Sequence, residues 1–177
     1  MGATVTSIGD YAFSLDYTRT SIGDFGVGEY GVDYAFFTYT KLTGLDLSEA
    51  TALTTIGRGA FMSTHLTCTL KMGRSVTSIG DYAFSNTKLT GLDLSEATAL
   101  TTIGGSAFSE NTELTGTLKV GLSVTSIGAY AFSDTKLTGL DIADAIALTT
   151  IGRGAFANTA LEGQERCTPI NTCFILN

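Results

Sequence analysis

VTSIGDYAFSNTKLTGLDLSEATA, residues 76–99, is followed directly by LTTIGGSAFSENTELTGTLKVGLS, residues 100–123. Laid over one another, they match Ile79 with Ile103, Gly80 with Gly104, and Ala83-Phe84 with Ala107-Phe108. They are two copies of one unit, Ile-Gly-x-x-Ala-Phe followed by a leucine-patterned segment. The Ala-Phe pair recurs at Ala12-Phe13, Ala35-Phe36, Ala60-Phe61, Ala83-Phe84, Ala107-Phe108, Ala131-Phe132 and Ala155-Phe156, at gaps of 23, 25, 23, 24, 24 and 24 residues. A fixed period of this size marks a solenoid, in which each unit buries its apolar face only against its neighbours, and seven units exceed the roughly three that stability needs.

The repeat divides the chain into residues 1–161, a solenoid of about seven rungs, and 162–177, a C-terminal cap or tail that loses the apolar spacing and carries Pro169. Within the solenoid, residues 15–34 break the pattern with a second Ser21-Ile22-Gly23-Asp24 out of phase and read as an irregular or degenerate rung. The chain starts inside a unit, at Thr4-Val5-Thr6-Ser7-Ile8-Gly9, where a solenoid ordinarily has a cap, which suggests a fragment or an incomplete gene model.

Composition narrows the partners. Hydrophobic residues make up 44% of the 177, as a packed core requires, and the formal net charge is -7. An acidic chain without a Lys/Arg cluster is a poor match for nucleic acid or an anionic membrane surface. No apolar run approaches the ~18 residues of a spanning helix, so membrane insertion is not expected.

Two extended segments recur in each unit. Leu42/Leu45/Leu47, Leu89/Leu92/Leu94 and Leu137/Leu140/Ile142 end in the strict alternation of a half-buried strand. Alternate units carry one more residue there, as in Leu66/Leu70/Met72 and Leu114/Leu118/Val120, so the true period is 48 residues. The outward residues between the inward ones are Asp46, Lys71, Asp93, Lys119 and Asp141, with Arg166 next if the register continues into the tail. Rungs ~4.8 Å apart would align these as a ladder of opposite charges. With Thr43, Thr90, Thr115 and Thr138 they form the candidate partner-binding face, against the simpler reading that they only relieve repulsion. Calcium does not fit, because the aspartates are two rungs apart with lysines between them while oxygen ligands must lie within ~2.6 Å of the ion.

The second segment, Val-Thr-Ser-Ile-Gly or Leu-Thr-Thr-Ile-Gly, aligns Thr6, Thr54, Thr77, Thr101, Thr125 and Thr149 in one file beside Ser7, Thr55, Ser78, Thr102, Ser126 and Thr150. Threonine suits extended backbone, and regular hydroxyl rows on a flat face also raise ice binding as a second class. The glycine after each Ile calls for a positive φ or a close backbone approach at a corner.

Catalytic ingredients are missing. His65 is the single histidine; with Cys68 three residues on, it offers neither a usual metal set nor more than a nominal nucleophile and base, and Cys68 is read as an incidental exposed thiol. An enzyme is not expected, and neither is a cofactor. Cys167 and Cys173 bracket five residues in the tail and are either a disulfide that closes a small loop in an oxidising compartment or two reduced thiols.

The recurring Val-Thr-x-Ile-Gly-x-x-Ala-Phe followed by Leu-x-x-Leu-x-Leu resembles the BspA-like, or Treponema pallidum-type, leucine-rich repeats over roughly Val5 to Leu161. The resemblance implies a right-handed, strand-rich solenoid of α/β type, with a parallel sheet on one side and turns or short helical pieces on the other. It also implies a non-enzymatic protein-interaction module of surface or adhesion type, with an extracellular or cell-surface location; a structural spacer or assembly subunit is the other reading. The family's inward Asn or Cys three residues after the Phe is met only by Asn111, whereas Asn86, Asp134 and Asn158 stand one residue earlier.

Overall fold

The computed structural model describes residues 7–9, 43–161, 163–168 and 173–176. The irregular stretch expected at 15–34 lies outside them. The described residues form twelve short strands and no helix: β1 (Ser7–Ile8), β2 (Thr55–Ile56), β3 (Thr69–Lys71), β4 (Ser78–Ile79), β5 (Gly91–Asp93), β6 (Thr102–Ile103), β7 (Thr115–Lys119), β8 (Ser126–Ile127), β9 (Lys136–Asp141), β10 (Thr150–Ile151), β11 (Glu165–Cys167) and β12 (Cys173–Ile175).

Six of them make one parallel sheet in the order β1-β2-β4-β6-β8-β10, with Ile8, Ile56, Ile79, Ile103, Ile127 and Ile151 in register. Each is the residue pair that ends in the isoleucine of Ile-Gly. Because strand residues alternate sides, the isoleucines from Ile56 to Ile127 are buried while their strand neighbours Thr55, Ser78, Thr102 and Ser126 are only half-buried; Thr77, Thr101 and Thr125, just before the strands, are exposed. β1 pairs directly with β2.

From Gly80 onward, the glycine that follows the isoleucine is required by proximity and not by φ. None of Gly80, Gly104, Gly128 and Gly152 has a positive φ. A Cβ on Gly80 would lie 2.7 Å from the Arg58 nitrogen; on Gly104, 2.6 Å from that of Asp81; on Gly128, 2.4 Å from that of Gly105; and on Gly152, 2.4 Å from that of Ala129. Each contact is with backbone one rung earlier. At this corner the rungs touch main chain to main chain.

The Ala-Phe residues close the opposite wall. Phe61, Phe84, Phe108, Phe132 and Phe156 are fully buried and pile face to face at centroid distances of 4.9, 5.3, 5.2 and 5.5 Å, with interplanar angles of no more than 9°. Burial of one such ring contributes about 1.5–3 kcal/mol. Of the turns or short helical pieces expected on this side, the chain forms turns. The Phe61 N–H donates to the Ala83 carbonyl at 2.7 Å, that of Phe84 to Ala107 at 2.8 Å and that of Phe108 to Ala131 at 2.8 Å. A backbone whose N–H groups bond the next rung cannot also bond four residues back, so no α-helix forms. Two left-handed residues per rung turn the chain sharply enough for this: Gly59, Tyr82, Ser106, Tyr130 and Gly154 before the Phe, and Ser63, Asn86, Glu110, Asp134 and Asn158 after it.

Asn86, Asp134 and Asn158 are therefore exposed turn residues, and the inward place three residues after the Phe belongs to Thr64, Thr87, Asn111, Thr135 and Thr159. The threonine Oγ1 atoms donate to the carbonyl of that Phe, at 2.8, 3.2, 2.9 and 2.6 Å for Thr64, Thr87, Thr135 and Thr159. Asn111 reaches further. Its Nδ2 donates to the carbonyls of Phe84 at 2.7 Å and Phe108 at 3.0 Å, and its Oδ1 accepts from the Leu89 N–H and the Thr87 hydroxyl.

On the leucine side, strands pair in twos. β3 pairs with β5 and β7 with β9, each a longer unit followed by a shorter one, whereas the step from shorter to longer is one bridge at Asp46↔Lys71, or none between β5 and β7. The additional residue explains the break: Gly116 turns to φ +87° and the β7–β9 register shifts between Gly116 and Thr117. β11 and β12 then form an antiparallel hairpin, and Leu161 and Leu176 are fully buried in the same core as the phenylalanines. Arg166 pairs across that hairpin with Phe174, so the strand ladder does not continue to it.

Candidate partner-binding face

The outward face of the leucine-side strands is built from behind. Leu45, Leu70, Leu118 and Leu140 are buried, and by strand alternation the residues that follow them project outward. Thr43, Asp46, Lys71, Thr90, Thr115, Lys119 and Thr138 are exposed; Asp93 and Asp141 are half-buried. Pairing places Lys71 beside Asp93 and Lys119 beside Asp141, and the bridge places Asp46 beside Lys71. The expected alternation of acid and base is thus brought together in two groups, Asp46-Lys71-Asp93 and Lys119-Asp141, divided where β5 and β7 fail to pair.

The aspartates also hold the strand ends. Asp46 Oδ1 accepts the Ser48 N–H at 2.9 Å, Asp93 Oδ1 the Ser95 N–H at 2.9 Å and Asp141 Oδ1 the Ala143 N–H at 3.0 Å. Hydrogen bonds from the side chain and then the backbone of Ser48 hold Asp46 below the ordinary carboxylate range; Ser95 does the same for Asp93, and in both cases Lys71 adds a smaller attraction. A carboxylate with a depressed folded-state pKa contributes stability that is present above its unfolded value and is lost as pH falls through the folded one. Thermal melts between pH 6 and 2 should therefore show Tm declining below about pH 4, less steeply in Ser48→Ala/Ser95→Ala. A slope unchanged by that double variant would remove the serines as the cause.

Lys119 makes its ion pair with a residue outside the ladder. Its Nζ lies 3.0 Å from Asp144 Oδ2, and this pairing, with Asp141 as a smaller contributor, raises the Lys119 pKa above its usual value. Both side chains are more than half exposed, so the pair stabilises little. Asp144 was legible in the repeat: three positions past the ladder residue the units read Glu49, Arg74, Glu96, Leu122 and Asp144, a second outward column that alternates acid and base until Leu122. Glu49, Arg74 and Glu96 line one shallow notch. Around Leu122 lies a larger groove of ≈ 520 Å³ walled by Leu94, Thr98, Lys119, Leu122, Asp144 and Ile146, with Leu122 and Ile146 both 54% exposed.

The threonine files serve stacking. Thr77, Thr101, Thr125 and Thr149 each donate Oγ1 to the carbonyl of the previous residue in the file, at 2.9, 2.9, 3.0 and 3.2 Å. Cys68 departs from expectation: it is half-buried against the core, its Sγ accepting the Leu45 N–H at 3.3 Å, and is not an exposed thiol. His65 is exposed, and among the described residues no cluster of three or more His, Cys, Asp or Glu could hold a metal ion. Cys167 and Cys173 face one another in the backbone register of β11 and β12.

A family model for the BspA type leucine rich repeat region matches residues 31–162 in six copies. The chain belongs to this family. No curated protein and no solved structure matches it. The BspA-type match spans the Ile-Gly strands β2 to β10 and all five piled phenylalanines, so the structural repeat and the family repeat coincide. BspA-type repeats are generally non-enzymatic, and the leucine-rich-repeat class points to protein interaction.

Proposed function

We propose that this chain is a non-enzymatic recognition module of surface or adhesion type, which binds a macromolecular partner through the outward leucine-side face. The observation that carries the reading is the register of Lys71 with Asp93 and of Lys119 with Asp141 over buried leucines. Charges fixed in this way on a packed stack lose little conformational entropy on binding. The family supports the class of activity, and the register of the outward charges supports the choice of this surface.

The face is tested by charge reversal at the lysines, because the aspartates also hold turns. Lys71→Glu/Lys119→Glu should reduce capture of co-purifying partners from the native source by tenfold or more and leave the circular dichroism spectrum unchanged. Undiminished capture would move the binding surface elsewhere. The ice reading has its own measurement, since thermal hysteresis abolished by Thr101→Tyr would replace the present proposal; a spacer or assembly subunit shows neither effect.

A further inference from the structure

The C-terminal hairpin carries a ladder whose phase can be read. β11 and β12 pair antiparallel with Glu165 opposite Ile175, Arg166 opposite Phe174 and Cys167 opposite Cys173. One step before Glu165, the Leu176 N–H donates to the Gln164 carbonyl at 2.8 Å, while the adjoining Gly163 N–H donates to the Leu176 carbonyl at 2.5 Å. Gly163, at φ +77°, and Gln164 thus oppose Leu176 as a bulge whose two bonds mark a hydrogen-bonded position at Gln164/Leu176. Hydrogen-bonded and non-hydrogen-bonded positions alternate along an antiparallel pair. Counting along, Glu165/Ile175 is non-hydrogen-bonded, Arg166/Phe174 is hydrogen-bonded, and Cys167/Cys173 is non-hydrogen-bonded.

That is the position at which opposed Cα atoms come closest, about 4.5 Å apart. A disulfide spans Cα separations of roughly 4.4–6.8 Å. The backbone therefore brings the two cysteines within bridging distance without rearrangement. From this juxtaposition, we propose that Cys167 and Cys173 form a disulfide that locks the hairpin over the end of the stack. The hairpin has work for such a lock. An isolated pair of three-residue strands is marginal in water, yet this one places Leu176 in the core and packs Phe174 against it.

The bond forms by thiol–disulfide exchange with a small-molecule disulfide such as oxidised glutathione. One cysteine, as thiolate, attacks a glutathione sulfur to give a mixed disulfide and one reduced glutathione; the second thiolate attacks the protein sulfur and releases the other. The two cysteine protons end on the two glutathione thiols, and the two electrons reduce the glutathione disulfide. Cys68, half-buried and bonded to Leu45, takes no part.

The test counts thiols in the intact chain, which has three cysteines. After equilibration with oxidised glutathione, denaturation and alkylation, one thiol should be labelled, at Cys68, and peptide mapping should join the peptides of Cys167 and Cys173. After a reductant, all three should label. Wild-type protein should melt roughly 5 °C higher oxidised than reduced, and Cys167→Ser/Cys173→Ser should melt alike in both conditions. Three labelled thiols after oxidation, retained glutathione on either cysteine, or a link from Cys68 to the tail would each overturn the assignment.

Discussion

Phe108→Ala is expected to destabilise the protein by about 3–5 kcal/mol, the range for removing a large aromatic side chain from a core. The ring is fully buried and lies between two others, at 5.3 Å from Phe84 and 5.2 Å from Phe132. Its loss leaves a cavity and interrupts the pile at its centre. In a solenoid, where each unit is stabilised by its neighbours, that cut uncouples the rungs on either side. Chemical denaturation should then show not only a lower midpoint but a broadened or split transition. Phe156→Ala, at the end of the described pile, removes one ring contact at 5.5 Å and should leave a single transition. Phe108→Leu keeps much of the volume and should cost under about 1.5 kcal/mol. If Phe108→Ala unfolds within 1 kcal/mol of wild type, the ring pile is not what holds the rungs together.

This expectation could be framed from the chain before any geometry, because Ala-Phe at a constant interval has one reading in a stack. The isoleucine register, the inward leucines and the 48-residue alternation were equally legible, since periodicity reports which side chains meet from rung to rung. The choice between turns and short helical pieces was not. Whether an Ala-Phe turn becomes helix or stays a turn depends on where its N–H groups find acceptors, and the acceptors are carbonyls 22 or 23 residues away, as from Phe61 to Ala83 and from Phe84 to Ala107. Thr87 and Thr135 were missed as inward residues for a related reason. The family pattern puts an amide or thiol at that offset, and a threonine hydroxyl that bonds back to the Phe carbonyl meets the same need from a smaller side chain.

The candidate face was legible as a list of outward residues and illegible as a surface. Asp46, Lys71 and Asp93 come together as counted, but the extra residue of the longer unit breaks the sheet before Lys119. An insertion of one residue leaves the apolar pattern intact, since the strand resumes its alternation after Gly116, and its consequence is felt only in hydrogen-bond pairing between strands of successive rungs. Lys119 consequently turns to Asp144 in the following loop, and beside that pair the groove at Leu122 and Ile146 opens.

Gly128→Ala should destabilise by about 3 kcal/mol, at the upper end for inserting a single carbon into a tightly packed site. The sign is what makes the experiment decisive. Gly128 has no positive φ, and at a glycine with ordinary φ alanine normally stabilises by about 0.4–1 kcal/mol, because it restricts the unfolded chain. Here the new Cβ would lie 2.4 Å from the Gly105 nitrogen, 2.5 Å from the Gly104 carbonyl carbon and 2.8 Å from its oxygen. All three are main-chain atoms, so no side chain can rotate away to relieve the contact. Relief requires the rungs to part at the corner, at the expense of the Gly128 N–H bond to Ile103 at 2.8 Å and the register of β6 with β8. Gly121→Ala supplies the control, since nothing lies within 4 Å of its added Cβ and its φ is also not positive; it should be neutral or stabilising. Thermal melts of the two variants side by side, with amide exchange followed at Gly128 and Gly152, separate the explanations. A Gly128→Ala protein that melts at or above wild type would mean that the corners are looser than main-chain contact, and that the glycine file reflects backbone freedom and not the close approach of successive rungs.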